Sequence, residues 1–205
     1  MQQCSNINAF MNKQISEAVR ILNNGGIIVF PTDTAFGIGC RIDNKKAIEK
    51  LFKLRRRPQN QPAPVLVANL EMAKEYVKEI TDEVITKLIN PYWPGALTIV
   101  LQCRISKVPE LVRGGGNTIG LRMPNNNLVL ALINRAGVPV LGPSANFHGE
   151  KTPFSIKDLN PELVKLADYV LDGECLFNNI STVIDVTKKP WRILRQGQLE
   201  IKIKT

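Results

Sequence analysis

The sequence is poorest in histidine. His148 is the only one in the chain, so any Ser-His-Asp or Cys-His relay would have to be built around it. Aromatic residues make up 6% of the chain, with no stacking stripe of the kind RNA-recognition sheets carry. The cysteines Cys4, Cys40, Cys103 and Cys175 lie far apart without a Cys-x-x-Cys pair. That spacing argues against a zinc site and a disulfide framework. Cys40 therefore reads as a small buried filler. No apolar run has the length of a membrane span, and "MQQCSNINAFMNKQ" has no signal core, so the expectation is a cytoplasmic protein with no membrane partner. Cations, by contrast, are plentiful. Twenty-seven Lys and Arg against eighteen Asp and Glu give a net charge of +9, which favours anionic partners such as nucleotide, phosphate or RNA.

The 205 residues suit one compact domain, taken as 1–205. Helical periodicity covers 12–24, with Asn12 as N-cap and Gly25 as stop, then 44–56, 70–79 and 82–90. "NNLVLALINRAG" is a further capped helix, and Ser155 with Asp158 resembles a capping box. Strand runs are read at 27–30, 64–68, 97–102, "TIGLRMP", "VPVL", 181–186 and 192–197. "PTDTAFGIGC", "PYWPG" and "RGGGN" read as loops or turns. Strands alternating with helices predict an α/β layered fold with some antiparallel pairing at the end.

Three segments invite a chemical reading. In "VPVLGPSANFHG", Ser144 lacks the flanking glycines of a nucleophile elbow, and His148 is too close in sequence to serve as a triad base. Ser144 and Asn146 fit a phosphate cradle after a strand better, with His148 as a solvent-facing loop residue. "PTDTAFGIG" places Thr32, Asp33, Thr34, Gly37 and Gly39 after a buried strand but matches neither a P-loop nor a dinucleotide fingerprint. "KLRRRP" ends a helix just before a strand, and Arg122 and Arg195 stand at other strand ends. Guanidinium groups on one rim would suit a doubly anionic substrate pair.

Taken in order, "FPTDTAFGIGC", "FKLRRRPQNQPAPVLV", "WPGALTIVL", "TIGLRMP", "GPSANFHGEKTP", "STVIDV" and "ILRQG" resemble the YrdC-type threonylcarbamoyl-AMP synthases. The likeness runs from about residue 10 to the C-terminus, in what looks like the short form of the family. It implies a single-domain, open, twisted mixed sheet with flanking helices and a basic concave face. The reaction it implies takes L-threonine, bicarbonate or carbon dioxide, and ATP to threonylcarbamoyl-AMP and pyrophosphate. Downstream tRNA threonylcarbamoyl-transferase proteins would then use the product. Magnesium is expected with ATP, with Asp33 a weak candidate ligand and no protein metal site otherwise.

Position by position, the resemblance implies threonine contacts at Thr34, Arg122 and Ser181, with Thr182 a second hydroxyl beside it. It implies ATP contacts at Arg57, Thr118, Ser144, Asn146, Thr152 and Arg195. Arg55, Arg57, Ser144 and Asn146 form the catalytic element, in which Arg55 stands where the family has lysine; Lys53 is the weaker substitute. Leu66 replaces a histidine that some relatives use, and with Val65 it reads as core. An RNA-binding protein with a basic concave face, and a carbamoyl-adenylate activity on another substrate, are the alternatives. Direct contact with tRNA is left open.

Overall fold

A computed structural model describes residues 2–201. Strand β1 (Ile28–Phe30) pairs antiparallel with β2 (Gly37–Gly39) and parallel with β7 (Tyr169–Val170). A six-stranded sheet runs in the order β6 (Val140–Leu141), β3 (Val65–Leu66), β5 (Thr118–Arg122), β4 (Leu97–Gln102), β8 (Thr182–Asp185) and β9 (Arg192–Arg195). The two sheets meet where β2 runs beside the β6 segment. Ile38 N donates to Pro143 O, Leu141 N to Cys40 O and Ala145 N to Phe36 O, at 2.8–2.9 Å. Gly39 permits this seam, because a Cβ there would lie 1.7 Å from Leu141 O. Parallel and antiparallel ladders alternate across the sheet, so the architecture is an open mixed α/β fold.

Side-chain alternation assigns the two faces. Ile27 and Val29 enter one core with Val65, Ile99, Leu121, Leu141 and Ile184. Helices Lys45–Leu54 and Leu70–Tyr76 and the helical stretch 82–92 pack against it. Ile28, Phe30, Leu66 and Val140 point the other way, under helices Gln2–Asn23 and Asn127–Ala136. These helices stop at β3. Beyond it, the same face carries Thr118, Gly120 and Arg122 on β5 and Thr98, Val100 and Gln102 on β4, opposite the apolar Ile119, Leu121, Leu97, Ile99 and Leu101. A sheet face rich in polar groups and left open by the helices is where a ligand site can form.

Several details differ from the sequence reading. The first helix begins well before residue 12, so Asn12 is an interior residue; its Oδ1 accepts from Arg135 Nη2 at 2.7 Å. Gly25 ends that helix with a φ of 78°. "FGIGC" contains β2, a strand masked by its glycines, and Tyr169–Val170 supplies β7. "PYWPG" begins inside the helical stretch 82–92, where Pro91 directly follows a π-helical turn at Ile85–Ile89. The Ser155–Asp158 capping box is present, but it opens a single 3₁₀ turn. Among the described residues, no helix is long and apolar enough to cross a membrane.

Candidate active site

The open face forms a small cleft of about 110 Å³. Its walls come from distant segments: Thr34 to Gly37, Pro64 and Leu66, Thr98, Arg122, Gly142 and Ser144, Thr152, and Ser181 with Arg195. Six of the ten residues singled out from sequence therefore share one cavity: Thr34, Arg122, Ser144, Thr152, Ser181 and Arg195. Arg55, Arg57, Thr118 and Asn146 do not line it.

At one end stands Arg122, the last residue of β5. Its Nε donates to Gly95 O at 3.0 Å, Nη1 to Thr34 Oγ1 at 2.6 Å and Nη2 to Asp33 Oδ1 at 2.5 Å. A guanidinium has five N–H donors, so two remain for a ligand. Asp33 is fully buried, with Oδ2 unpartnered, and its backbone O accepts from the N–H groups of Leu176 and Phe177. Burial pulls the Arg122 pKa below the ordinary guanidinium value, with Asp33 acting in the opposite direction. Asp33 thus has one carboxylate oxygen on a cation and the other buried without a partner. Thr32 Oγ1 donates to Ala35 O and so accepts from Thr34. This orients the Thr34 oxygen toward Arg122.

Across the floor, Ser181 Oγ lies 2.9 Å from Thr98 Oγ1 and accepts from Arg195 Nη2 at 3.0 Å. Arg195 also bonds Ser181 O through Nε and Nη2. Thr182, expected as the second hydroxyl, is fully buried and turned away. Its Oγ1 donates to Leu199 O and accepts from Gly197 N and Leu199 N. Period-two alternation makes that outcome unavoidable once Ser181 faces the cleft. Thr98 takes its place and was missed. The available signal was a lone hydroxyl inside the apolar run "LTIVL".

At the other end Ser144 Oγ donates to Asn146 Oδ1 at 2.6 Å, and Asn146 Nδ2 donates to Glu150 O at 2.7 Å. Behind Asn146 lies Arg55, 2% exposed, donating through Nε to Asn146 O and through Nη2 to Asn146 Oδ1. Its Nη1 has no partner, and burial, with the nearby Arg57 charge, pushes its pKa down to about 10. Arg55 is therefore linked to the cleft wall through Asn146 and Ser144. Lys53 is exposed. Arg57 bonds the carbonyls of Gln61 and Pro62, just before β3, and Thr118 opens β5, the parallel neighbour of β3. Both thus lie toward the starting end of that strand pair, opposite the Leu66–Arg122 end. His148 is exposed. Cys40 is fully buried, its thiol pushed up to about 12 chiefly by burial. Leu66 is buried as expected but also forms cleft wall.

Comparison with known proteins gives a consistent picture. Residues 20–197 match the profile of the Sua5/YciO/YrdC family, described as telomere recombination. The threonylcarbamoyl-AMP synthase of Pyrococcus abyssi is 32% identical over 190 residues, which is 92% of this chain and 55% of that protein. Escherichia coli YciO, an uncharacterized protein, is 31% identical over 92% of this chain and 91% of its own length. The crystal structure of P. abyssi Sua5 complexed with L-threonine aligns with a TM-score of 0.83 at 32% identity, over 89% of this chain and 54% of that one. E. coli YciO aligns with a TM-score of 0.83 at 28% identity, covering 93% and 92%. The chain spans about half the length of the P. abyssi synthase and of the Bacillus subtilis protein of that name.

Proposed function

This chain belongs to the Sua5/YciO/YrdC family, and on that premise we propose that it is an L-threonylcarbamoyladenylate synthase, a nucleotidyltransferase. Its substrates are L-threonine, bicarbonate and ATP, with magnesium carried on the triphosphate. Its product serves tRNA threonylcarbamoyl-transferase proteins. The observation that carries the proposal is one cleft that gathers Arg122, Thr34 and Ser181 with Ser144, Thr152 and Arg195.

The chemistry asks for little proton transfer. The neutral amine of threonine adds to carbon dioxide, giving a carbamate and a proton. A carbamate oxygen then attacks the α-phosphorus, and the bond to the bridging oxygen of pyrophosphate breaks. Two anions must meet in line, so positioning and fixed positive charge supply most of the rate. The remaining donors of Arg122 hold the amino-acid carboxylate. Ser144 and Thr152 flank the phosphates, Arg195 faces both substrates across the floor, and Arg57 with Thr118 receives the far part of the nucleotide. Arg55 fixes the Asn146 carboxamide, since only an oxygen can face its N–H groups. A site without histidine suits this reaction.

The test is pyrophosphate release from labelled ATP with bicarbonate present. Release that depends on L-threonine is expected. ATP turnover unaffected by threonine, or none with threonine and magnesium supplied, overturns the proposal.

A further inference from the structure

We propose that Thr98, paired with Ser181, reads the side-chain hydroxyl of the amino acid and so sets substrate specificity. This inference rests on the synthase reading for the identity of the amino acid. The geometry begins with register. Ile99 pairs with Leu121 across the antiparallel β4–β5 ladder, so one step along Thr98 stands opposite Arg122 on the same face. Its methyl lies over Gly120, where a Cβ would come within 3.3 Å of Thr98 Cγ2. Its hydroxyl is thereby turned toward β8 and Ser181.

The protons can be counted. Two hydroxyls carry two protons, and the 2.9 Å bond between them uses one. Arg195 donates into Ser181 Oγ and takes none. One proton and at least one lone pair of the pair are left for whatever enters the cleft. A carboxylate could accept that proton but would meet the lone pairs unfavourably, and it already has two N–H groups of Arg122. A ligand hydroxyl both donates and accepts, and so matches the pair. Thr98 is 3% exposed and has no partner besides Ser181 among the described residues. Its hydroxyl lies in a position where valine would pack without a desolvation cost.

A purely structural cross-strand Thr–Ser bond would stabilise the sheet without discriminating ligands. Calorimetric titration with L-threonine and L-valine of the protein loaded with a non-hydrolysable ATP analogue separates the two roles, because binding is read without turnover. Unaltered protein should prefer threonine over valine by roughly 10-fold or more, since polar groups left unpaired penalise the deoxy analogue. Thr98→Val should bring the two affinities within about 3-fold of each other while leaving ATP affinity unchanged. Thr98→Ser should retain the preference. A Thr98→Val protein that keeps the full threonine preference, or that loses ATP affinity in parallel, overturns the inference, as does an unaltered protein that binds both amino acids equally or neither. Threonine preference lost on Thr98→Val in a protein that releases no pyrophosphate would uphold the inference and sink the synthase reading.

Discussion

The two ends of the cleft handle charge differently. Arg122, at the proposed amino-acid end, is balanced inside the protein by a buried Asp33. At the nucleotide end, among the described residues, Arg55 and Arg57 bond only carbonyls and a carboxamide and have no carboxylate partner. On the proposed synthase reading, the ligands account for the contrast. A threonine brings one carboxylate, and an over-strong cation would hold it equally well before and after reaction. A triphosphate brings several negative charges that must be drawn toward another anion, so cations left uncompensated until it arrives are useful there. The buried, partly unpartnered guanidinium of Arg55 is the structural cost of that arrangement.

The largest effect that could break this comparison comes from Arg122→Gln. It strands the Asp33 carboxylate in the interior, and removing one partner of a buried pair costs about 3–5 kcal/mol. Urea denaturation should show a loss of that size, together with loss of threonine binding. Arg122→Gln/Asp33→Asn should recover much of the stability without the binding. A stable single variant would mean the pair is not electrostatically coupled.

Ser144→Ala with Asn146→Ala should come next. ATP affinity should fall by roughly 10- to 100-fold through lost hydrogen bonds while L-threonine affinity holds. The same change removes an acceptor of Arg55, at a cost of about 1–3 kcal/mol in stability. Equal weakening of both ligands would erase the distinction between the ends.

Ionic strength offers a milder probe. Raising salt should weaken ATP binding more than threonine binding, because a triphosphate brings several charges to cations without a carboxylate partner, whereas Arg122 already has Asp33. Matching salt slopes in the two titrations would contradict this.

The smallest effect concerns Arg55. Its folded pKa is lowered to about 10, so folding disfavours its charged form, and that penalty eases as pH rises through about 10. ATP affinity should therefore decline over the same range without a loss of stability from this group. Arg55→Lys, which keeps the charge, should change pyrophosphate release at neutral pH by less than about 3-fold. Abolished activity would show that the site requires the planar fork.

Much of the fold was legible because apolar spacing marks the face an element buries. "LTIVLQ" and "TIGLR" announce strands, and "NNLVLALINRAG" forms the capped helix expected of it, with Asn126 as N-cap. β2 escaped because glycine replaces side chains where two backbones touch, so no alternation remains to be read. The gathering of Thr34, Arg122, Ser144 and Arg195 followed from ordered motifs that composition alone could not supply. What stayed hidden was pairing. Asp33 as the counter-charge of Arg122, Arg55 behind Asn146, and Thr98 beside Ser181 each join residues 83 or more apart in sequence, and only the sheet register sets such neighbours.

The most direct measurement is a crystal structure with a non-hydrolysable ATP analogue and L-threonine bound together. The account predicts both ligands in one cleft, with the threonine carboxylate on Arg122, its hydroxyl on the Thr98–Ser181 pair, and the α-phosphate between Ser144 and the amine. Triphosphate seated on Arg122, or the two ligands in separate cavities, would contradict it.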